Sequence, residues 1–256
     1  MPYRTLDHSA ARAFFGTTLT PFPLDDLPAI IEGCLAASDG AAIIGHHNLH
    51  SLYLRHKQER VARFYQACDY CYVDGVPVLW LLRALGIRKP AARFSLMDCL
   101  PSLLGAAERK GWRVCYLGST AAVVERARVW AARHWPALAI TLVDGYRSDE
   151  DAIAAVKDAR PDVLLVGMGM PKQEDWILAH ARQLPPCVIL QAGGTLDYYT
   201  GAQARPPALL SRLGLGGLYR LLRDPRRLWR RYLLEPWSLV APVLELRRGL
   251  RRSRPE

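Results

Sequence analysis

"PDVLLVGMGMPKQEDWILAHARQLPPCVILQAGGTLD", residues 161–197, reads as strand, glycine loop, helix, strand, glycine loop. Two short and nearly continuous apolar runs, each ending in glycines, flank one helical stretch, which is how strands covered on both faces are written. The same unit recurs on the N-terminal side. "GAAIIGHHN", "CDYCYVDG", "WRVCYLGST" and "LAITLVDGY" read as strands. "LDDLPAIIEGCLAA", the stretch from Leu49, "VPVLWLLRALG" ending at Gly86, "AAVVERARVWAARHWP" up to Pro136 and "DEDAIAAVKDARP" read as helices. Such strands alternating with helices of about 10–15 residues predict an α/β fold, a mainly parallel sheet with helices on both faces. The site is then expected at the carboxyl ends of the strands. Five loops fall there: "HHN" at 46–48, "DG" at 74–75, "GST" at 118–120, "GMGMPKQE" at 167–174 and "GGTLD" at 193–197.

At 256 residues, half of them hydrophobic, the chain can bury a full core. Six scattered cysteines (Cys34, Cys68, Cys71, Cys99, Cys115, Cys187), without a leader-like start, read as reduced cytosolic thiols. Cys68 and Cys71 form a lone CxxC with no second ligand pair and no redox-type helix start, so neither zinc nor disulfide chemistry is expected from it.

Charge is uneven. Of the chain's net +10, residues 205–256 carry +9: thirteen arginines and no lysine against Asp224, Glu235, Glu245 and Glu256. A neutral body with an arginine tail asks for an anionic partner: phosphate groups, nucleic acid or an anionic membrane surface. Arginine's planar fork favours bidentate phosphate contact over mere solubility. In "LGGLYRLLRDPRRLWRRYLLEPW" the apolar Leu218, Leu221, Leu222, Leu228, Trp229, Tyr232 and Leu233 recur at helical spacing with arginines between them. Asp224 and Pro225 suit a helix start. No stretch reaches the roughly 18–20 apolar residues a bilayer span needs, so the tail is expected to lie on a membrane rather than cross it.

Individual motifs leave alternatives open. "GMGMPKQE" lacks the third glycine of a dinucleotide fingerprint, because Lys172 stands there. It remains a glycine loop entering a helix near Pro171, suited to an anion, with Lys172 and Gln173 placed for a ligand, or else an ordinary strand-to-helix turn. Lys172, Gln173 and Glu174 cannot all be core residues, and Gln173 reads equally well as part of a solvated helix face. "AGGTLD", with Gly193, Gly194 and Asp197, is a close-approach loop or a plain tight turn. Asp74 beside Gly75 is either a turn residue or a placed reagent.

Six motifs in order resolve these choices by resemblance: "NLHSLYLRHKQERVARFYQACDYCYVDGVPVLW", "CYLGST", "VDGY", "LLVGMGMPKQEDWI", "QAGGTLDYYTGAQARPP" and "GLYRLLRDPRRLWRRY". From about residue 40 to 235 the chain resembles the WecG/TagA/CpsF glycosyltransferases, glycosyltransferase family 26. The resemblance implies a Rossmann-like UDP-sugar-binding catalytic body over 1–204 and an arginine-rich amphipathic appendage over 205–256. It implies an inverting, metal-independent transfer of a hexose or N-acetylhexosamine-type sugar (glucose, N-acetylmannosamine or its uronic acid) to an undecaprenyl-diphosphate-linked saccharide, for cell-surface polysaccharide. No cofactor is expected; the partners would be the UDP-sugar, the lipid-linked acceptor and the inner face of the cytoplasmic membrane, with peripheral attachment and a homo-oligomer.

By the family pattern Asp74 is the general base, Arg220, Arg227 and Arg230 clamp the leaving diphosphate, and Asn48 and Gln173 line the pocket. His46, Gly75, Gly118, Gly167, Gly169, Pro171, Lys172, Gly193, Gly194 and Asp197 complete the expected substrate site, and Leu221, Trp229 and Leu233 the membrane face. The chain departs from the pattern at three places: His46-His47-Asn48 stands for Thr-x-Asn, Arg205-Pro206-Pro207 for Arg-Ala-Pro, and Gly216-Gly217 for Glu-Trp. The rival readings are an α/β protein gripping nucleic acid through the tail, and a membrane scaffold that keeps the fold without turnover.

Overall fold

The computed structural model describes residues 19, 20, 22, 24–37, 40–85, 95–207, 209, 210 and 214–252. All six expected strands form, and all are parallel: β1 (Ala42–His47), β2 (Tyr70–Val73), β3 (Val114–Gly118), β4 (Ile140–Val143), β5 (Val163–Gly167) and β6 (Val188–Gln191), in the order β2-β1-β6-β5-β3-β4. The helices of the body are α1 (Leu27–Ala37), α2 (Leu49–Lys57), α3 (Glu59–Ala67), α4 (Val76–Ala84), α5 (Leu96–Lys110), α6 (Ala121–His134), α7 (Asp149–Ala159), α8 (Lys172–His180) and the short α9 (Thr195–Tyr199). α4 stops at Ala84, and the expected terminator Gly86 lies outside the described residues.

Strand alternation splits the core in two. Ile44, Tyr72, Val114, Tyr116, Leu142, Leu165 and Leu190 pack under α1, α5 and α6. Their sequence neighbours Ile43, Cys71, Cys115, Leu117, Val143, Leu164, Val166 and Ile189 pack under α2, α3, α7 and α8. Both faces of every strand are therefore apolar, which is why the sequence shows runs rather than alternation. All six cysteines are free thiols, five of them buried.

Strand order sets the site. The chain leaves β3 outward to β4 but leaves β5 the other way to β6, so the loops after β3 and β5 diverge and open a crevice at the carboxyl edge. Local signals fix those loops. Asn48 and Ser51 form a reciprocal cap on α2. Thr120 and Ser148 cap α6 and α7. The strand ends also require glycine, because β3 and β5 run in register at Gly118 and Gly167. A Cβ on Gly118 would sit 2.3 Å from the Gly167 carbonyl, and one on Gly167 2.0 Å from the Tyr116 hydroxyl.

Beyond the body come α10 (Gly216–Arg223), α11 (Pro225–Trp229), a π turn (Arg230–Leu234), α12 (Glu235–Ser238) and α13 (Val240–Arg252). Asp224 caps α11 through the Arg227 amide, with Pro225 at its first turn, as expected. Gly217 stands where a Cβ would lie 2.7 Å from the Tyr232 ring, so this departure lets α10 close onto the π turn. Leu239 is buried with Leu52, Val73, Val78, Leu79 and Leu82, and so docks the tail beside β2. Burying one leucine is worth about 1.5–3 kcal/mol. Among the described residues no helix is long and apolar enough to cross a membrane.

Candidate active site

A cavity of about 880 Å³ opens over the carboxyl edge, walled on one side by the strand loops and on the other by the tail. Of the expected residues, His46, Asn48, Asp74, Gly167, Gly169, Lys172, Gln173, Gly193, Gly194, Asp197, Arg220, Arg227 and Arg230 line it. Gly75, Gly118 and Pro171 do not, and they act on the backbone instead. Gly75 takes φ 96° ahead of α4, Gly118 packs against β5, and Pro171 follows a cis bond into α8.

Asp74 leaves the end of β2, its amide bonded to the His47 carbonyl at 2.8 Å, and its carboxylate is about one-third exposed to the cavity. His46 Nε2 lies 4.0 Å from Asp74 Oδ2, and its ring stacks on Tyr72. Burial holds the His46 imidazole below its ordinary pKa; Asp74 partly offsets this and Arg231 adds to it. His46 is therefore neutral near pH 7, and its Nδ1 is buried without a hydrogen bond. The negative Asp74 favours the proton on Nε2, the nitrogen facing it. Asn48 spends Oδ1 on the Ser51 amide, so its role as a helix cap coexists with its place on the cavity wall.

The tail supplies the positive charge. Arg220, Arg223, Arg227, Arg230 and Arg231 all line the cavity, the second and last unanticipated. Arg220 and Arg231 are half-buried where the other three are exposed, and the Arg220 guanidinium lies 5.1 Å from the Tyr198 ring centre. Burial works against its charge, but Tyr198, Tyr232 and Asp74 outweigh that and raise its pKa. Its Nε is buried with no partner. Arg227 pairs with Asp224 at 2.6 Å, and Arg230 lies over Trp229. His50 Nδ1 meets Glu235 Oε2 at 2.5 Å, pinning α12 to α2 at the cavity rim.

The opposite wall is polar and carries one acid, Asp197, and one base, Lys172. Ser119 Oγ donates to Asp197 Oδ1 at 2.9 Å, and Gln203 donates to Asp197 Oδ2 at 3.1 Å. Lys172 Nζ donates to the Gly145 carbonyl and sits over Tyr146, so the "VDGY" loop joins the site. Beneath it Gln173 and Glu174 are both fully buried. The solvated-face reading of Gln173 is thereby overturned: Gln173 bonds Glu174 Oε1 and the Gly193 amide, and Gln191 bonds the same Oε1, while Glu174 Oε2 is buried without a partner. Lys172 alone of the three stays partly exposed.

Of the expected membrane residues, Trp229 and Leu233 are exposed and Leu221 is half-buried. Leu218, Leu222, Leu234 and Trp237 extend the exposed apolar surface of the tail. Among the described residues no group of three or more histidine, cysteine or acidic side chains converges as a metal site.

Fold and cavity together define a doubly covered parallel α/β protein with an arginine-walled cleft at its carboxyl edge. The chain belongs to the glycosyl transferase WecG/TagA/CpsF family, whose model matches residues 12–253. It is similar to an N-acetylglucosaminyldiphosphoundecaprenol N-acetyl-beta-D-mannosaminyltransferase of Staphylococcus aureus, 32% identical over 165 residues, 63% of this chain and 64% of the relative. A protein of the same name from Bacillus spizizenii is 32% identical over 186 residues, 72% and 71% of the two chains. The chain thus spans just under two thirds of the staphylococcal relative's length.

Proposed function

We propose that the protein is an inverting glycosyltransferase that moves a hexose or N-acetylhexosamine-type sugar from a UDP-sugar to an undecaprenyl-diphosphate-linked saccharide. The observation that carries this reading is that the Asp74 carboxylate at the end of β2 and five tail arginines line the same cavity, with Asp74 close enough to act on Arg220. A displacement at an anomeric carbon needs both: a base for the attacking hydroxyl and positive charge for the departing diphosphate. The acceptor oxygen forms a bond to the anomeric carbon as the bond from that carbon to the UDP oxygen breaks. The electron pair leaves with UDP toward Arg220, Arg227 and Arg230, and the hydroxyl proton passes to Asp74.

The gap between His46 and Asp74 suits the step. At 4.0 Å the two atoms are too far apart to bond directly, yet one hydroxyl oxygen off their axis can lie about 2.8 Å from each. The size of the cavity is that of a pocket for a nucleotide sugar rather than a lone phosphate. Arginines turned into a cleft favour a small anion over a nucleic-acid backbone, which needs an open basic face. Exposed Leu222, Leu233, Leu234 and Trp237 beside them favour attachment at the cytoplasmic membrane surface, where a lipid-linked acceptor resides. Residues 1–204 would form the catalytic body and 205–256 the appendage, with the arginines in the place of a metal.

The test is UDP release by purified protein with lipid-diphosphosaccharide acceptors, screening UDP-glucose, UDP-N-acetylmannosamine and its uronic acid, with and without EDTA. Acceptor-dependent release with one donor, unchanged by EDTA, is expected. Binding of UDP with no release from any donor would count against the transferase reading.

A further inference from the structure

Glu174 is fully buried, yet it is a carboxylate one residue from the cavity-lining Gln173. Its Oε1 accepts from Gln173 Nε2 at 3.1 Å and from Gln191 Nε2 at 2.5 Å. The far ends of the same two amides accept backbone N–H groups: Gln173 Oε1 from Gly193 at 3.0 Å, and Gln191 Oε1 from His46 at 2.7 Å. An amide can be turned either way, and only its partners decide which. Here an acceptor on one side and a donor on the other admit one orientation each.

We infer that Glu174 is a positioning residue that aligns the Gln173 and Gln191 amides, and through them holds the Gly193 loop and the His46 strand end at their mutual spacing. β1 and β6 pair as far as Ile44 and Leu190; past that point the His46 N–H is held by the Gln191 amide and the Gly193 N–H by the Gln173 amide. Their common anchor is one carboxylate oxygen. Replacing it by an apolar atom frees both amides to flip, and a flipped amide opposes N–H to N–H at Gly193 or His46.

The charge state fits a tunable anchor. Burial pushes the Glu174 carboxyl up to about 7, against the bonds from Gln173 and Gln191, with Asp175 adding to the rise. The other titratable groups facing it are Tyr65 of α3 and Cys68 just after it, both raised well above their ordinary values by burial and therefore neutral across this range. Asp175 itself pairs with Arg60 at 3.2 Å. The bonds from the two amides favour the ionised form but burial outweighs them, so an opening that admits water is favoured as pH rises toward about 7.

The experiment is hydrogen exchange of the full chain, following peptides over 44–48 and 190–196 with strands β3 and β5 as controls, in the parent, Glu174→Gln and Glu174→Met. Glu174→Met should lose protection in both segments together, roughly tenfold, with the controls unchanged. Glu174→Gln, which keeps an acceptor oxygen, should retain it. In the parent, protection of both segments, corrected for intrinsic exchange, should fall relative to the β3 and β5 controls as pH rises toward about 7, and this response should be absent in Glu174→Gln. Retained protection in Glu174→Met, or a pH response that persists in Glu174→Gln, overturns the inference. If Glu174→Met loses protection everywhere, the parent and Glu174→Gln pH series decides alone. A turnover arm rests on the donor reading above: the Michaelis constant for the UDP-sugar should rise about tenfold in Glu174→Met and return toward the parent value in Glu174→Gln. Exchange as expected without turnover on any UDP-sugar would sink the donor assignment and leave the positioning role standing.

Discussion

Replacing Glu174 by glutamine should make folding stability less dependent on pH, by an amount the structure supplies. The carboxyl sits at about 7 in the folded protein against an ordinary value of 4.5. Between those values the folded state holds the proton and the unfolded state does not. The stabilisation this brings is complete below about pH 4.5 and is lost as pH rises through about 7. At 1.36 kcal/mol per unit, the shift corresponds to about 3 kcal/mol. The amide in Glu174→Gln has the same shape, keeps an acceptor for Gln173 and Gln191, and never ionises. The variant should therefore gain about 3 kcal/mol on the parent between roughly pH 4.5 and pH 8.5. Urea denaturation at several pH values, followed by tryptophan fluorescence, measures this as a midpoint difference that grows by on the order of 1 M. A difference that stays constant across the range would mean that Glu174 titrates as an exposed carboxylate does, and the buried network would be wrong.

Three further outcomes are expected. Asp74→Asn should abolish transfer while leaving UDP affinity near normal in calorimetry, whereas Arg220→Met should weaken UDP binding by roughly ten- to a hundredfold, as for a lost charge-assisted bond; loss of UDP affinity in Asp74→Asn would make Asp74 a binding residue. Gly118→Ala drives a Cβ to 2.3 Å from the Gly167 backbone, so β3 and β5 must part and stability should fall by about 1–3 kcal/mol; an unchanged melting temperature would refute the close approach. Leu222→Asp with Trp237→Asp, both about three-quarters exposed, should reduce sedimentation with anionic vesicles without changing the melting temperature, and undiminished sedimentation would remove these residues from the membrane face.

The architecture was legible because the strands are short, nearly continuous apolar runs and four of the five nominated loops carry glycine, so all six strands and the five loops could be found without pairing information. Strand order was not legible, because no residue in "VLLVG" encodes β3 as its neighbour rather than β4. Thirteen of the nominated site residues line the cavity. Asp197 was found as the acid after two glycines, but its partners Ser119 and Gln203 were not, since 78 residues separate Ser119 from Asp197 in the chain. Arg223 and Arg231 were hidden among thirteen tail arginines, which differ only in the helix face they occupy. The burial of Glu174 was illegible for a deeper reason. A carboxylate beside a glutamine and an aspartate reads as solvated, and only the arrival of Gln191 from the next strand makes the interior tolerable for it.

The placement of charge makes ligand binding and tail docking one equilibrium. The body through residue 204 is almost neutral, so its loops can shape an anion site through backbone and glycine but contribute little net attraction. The arginines arrive on a segment held to the body by Leu239 in the core beside β2, by His50 against Glu235, and by Arg220 over Tyr198. On the proposed reading, a diphosphate between the two halves adds bonds to Arg220 and its neighbours that exist only when the tail is seated. Whatever factor the seated tail contributes to nucleotide affinity, bound nucleotide must return to the seating of the tail. A membrane surface that engages Leu222, Leu233 and Trp237 acts on the same segment from its outer side. It therefore strengthens nucleotide binding only if its contacts favour the seated arrangement, and weakens it if they draw the tail away. Measuring UDP affinity with and without vesicles distinguishes the two: tighter binding on vesicles means that the membrane completes the site, and weaker binding means that the tail must choose between its two partners.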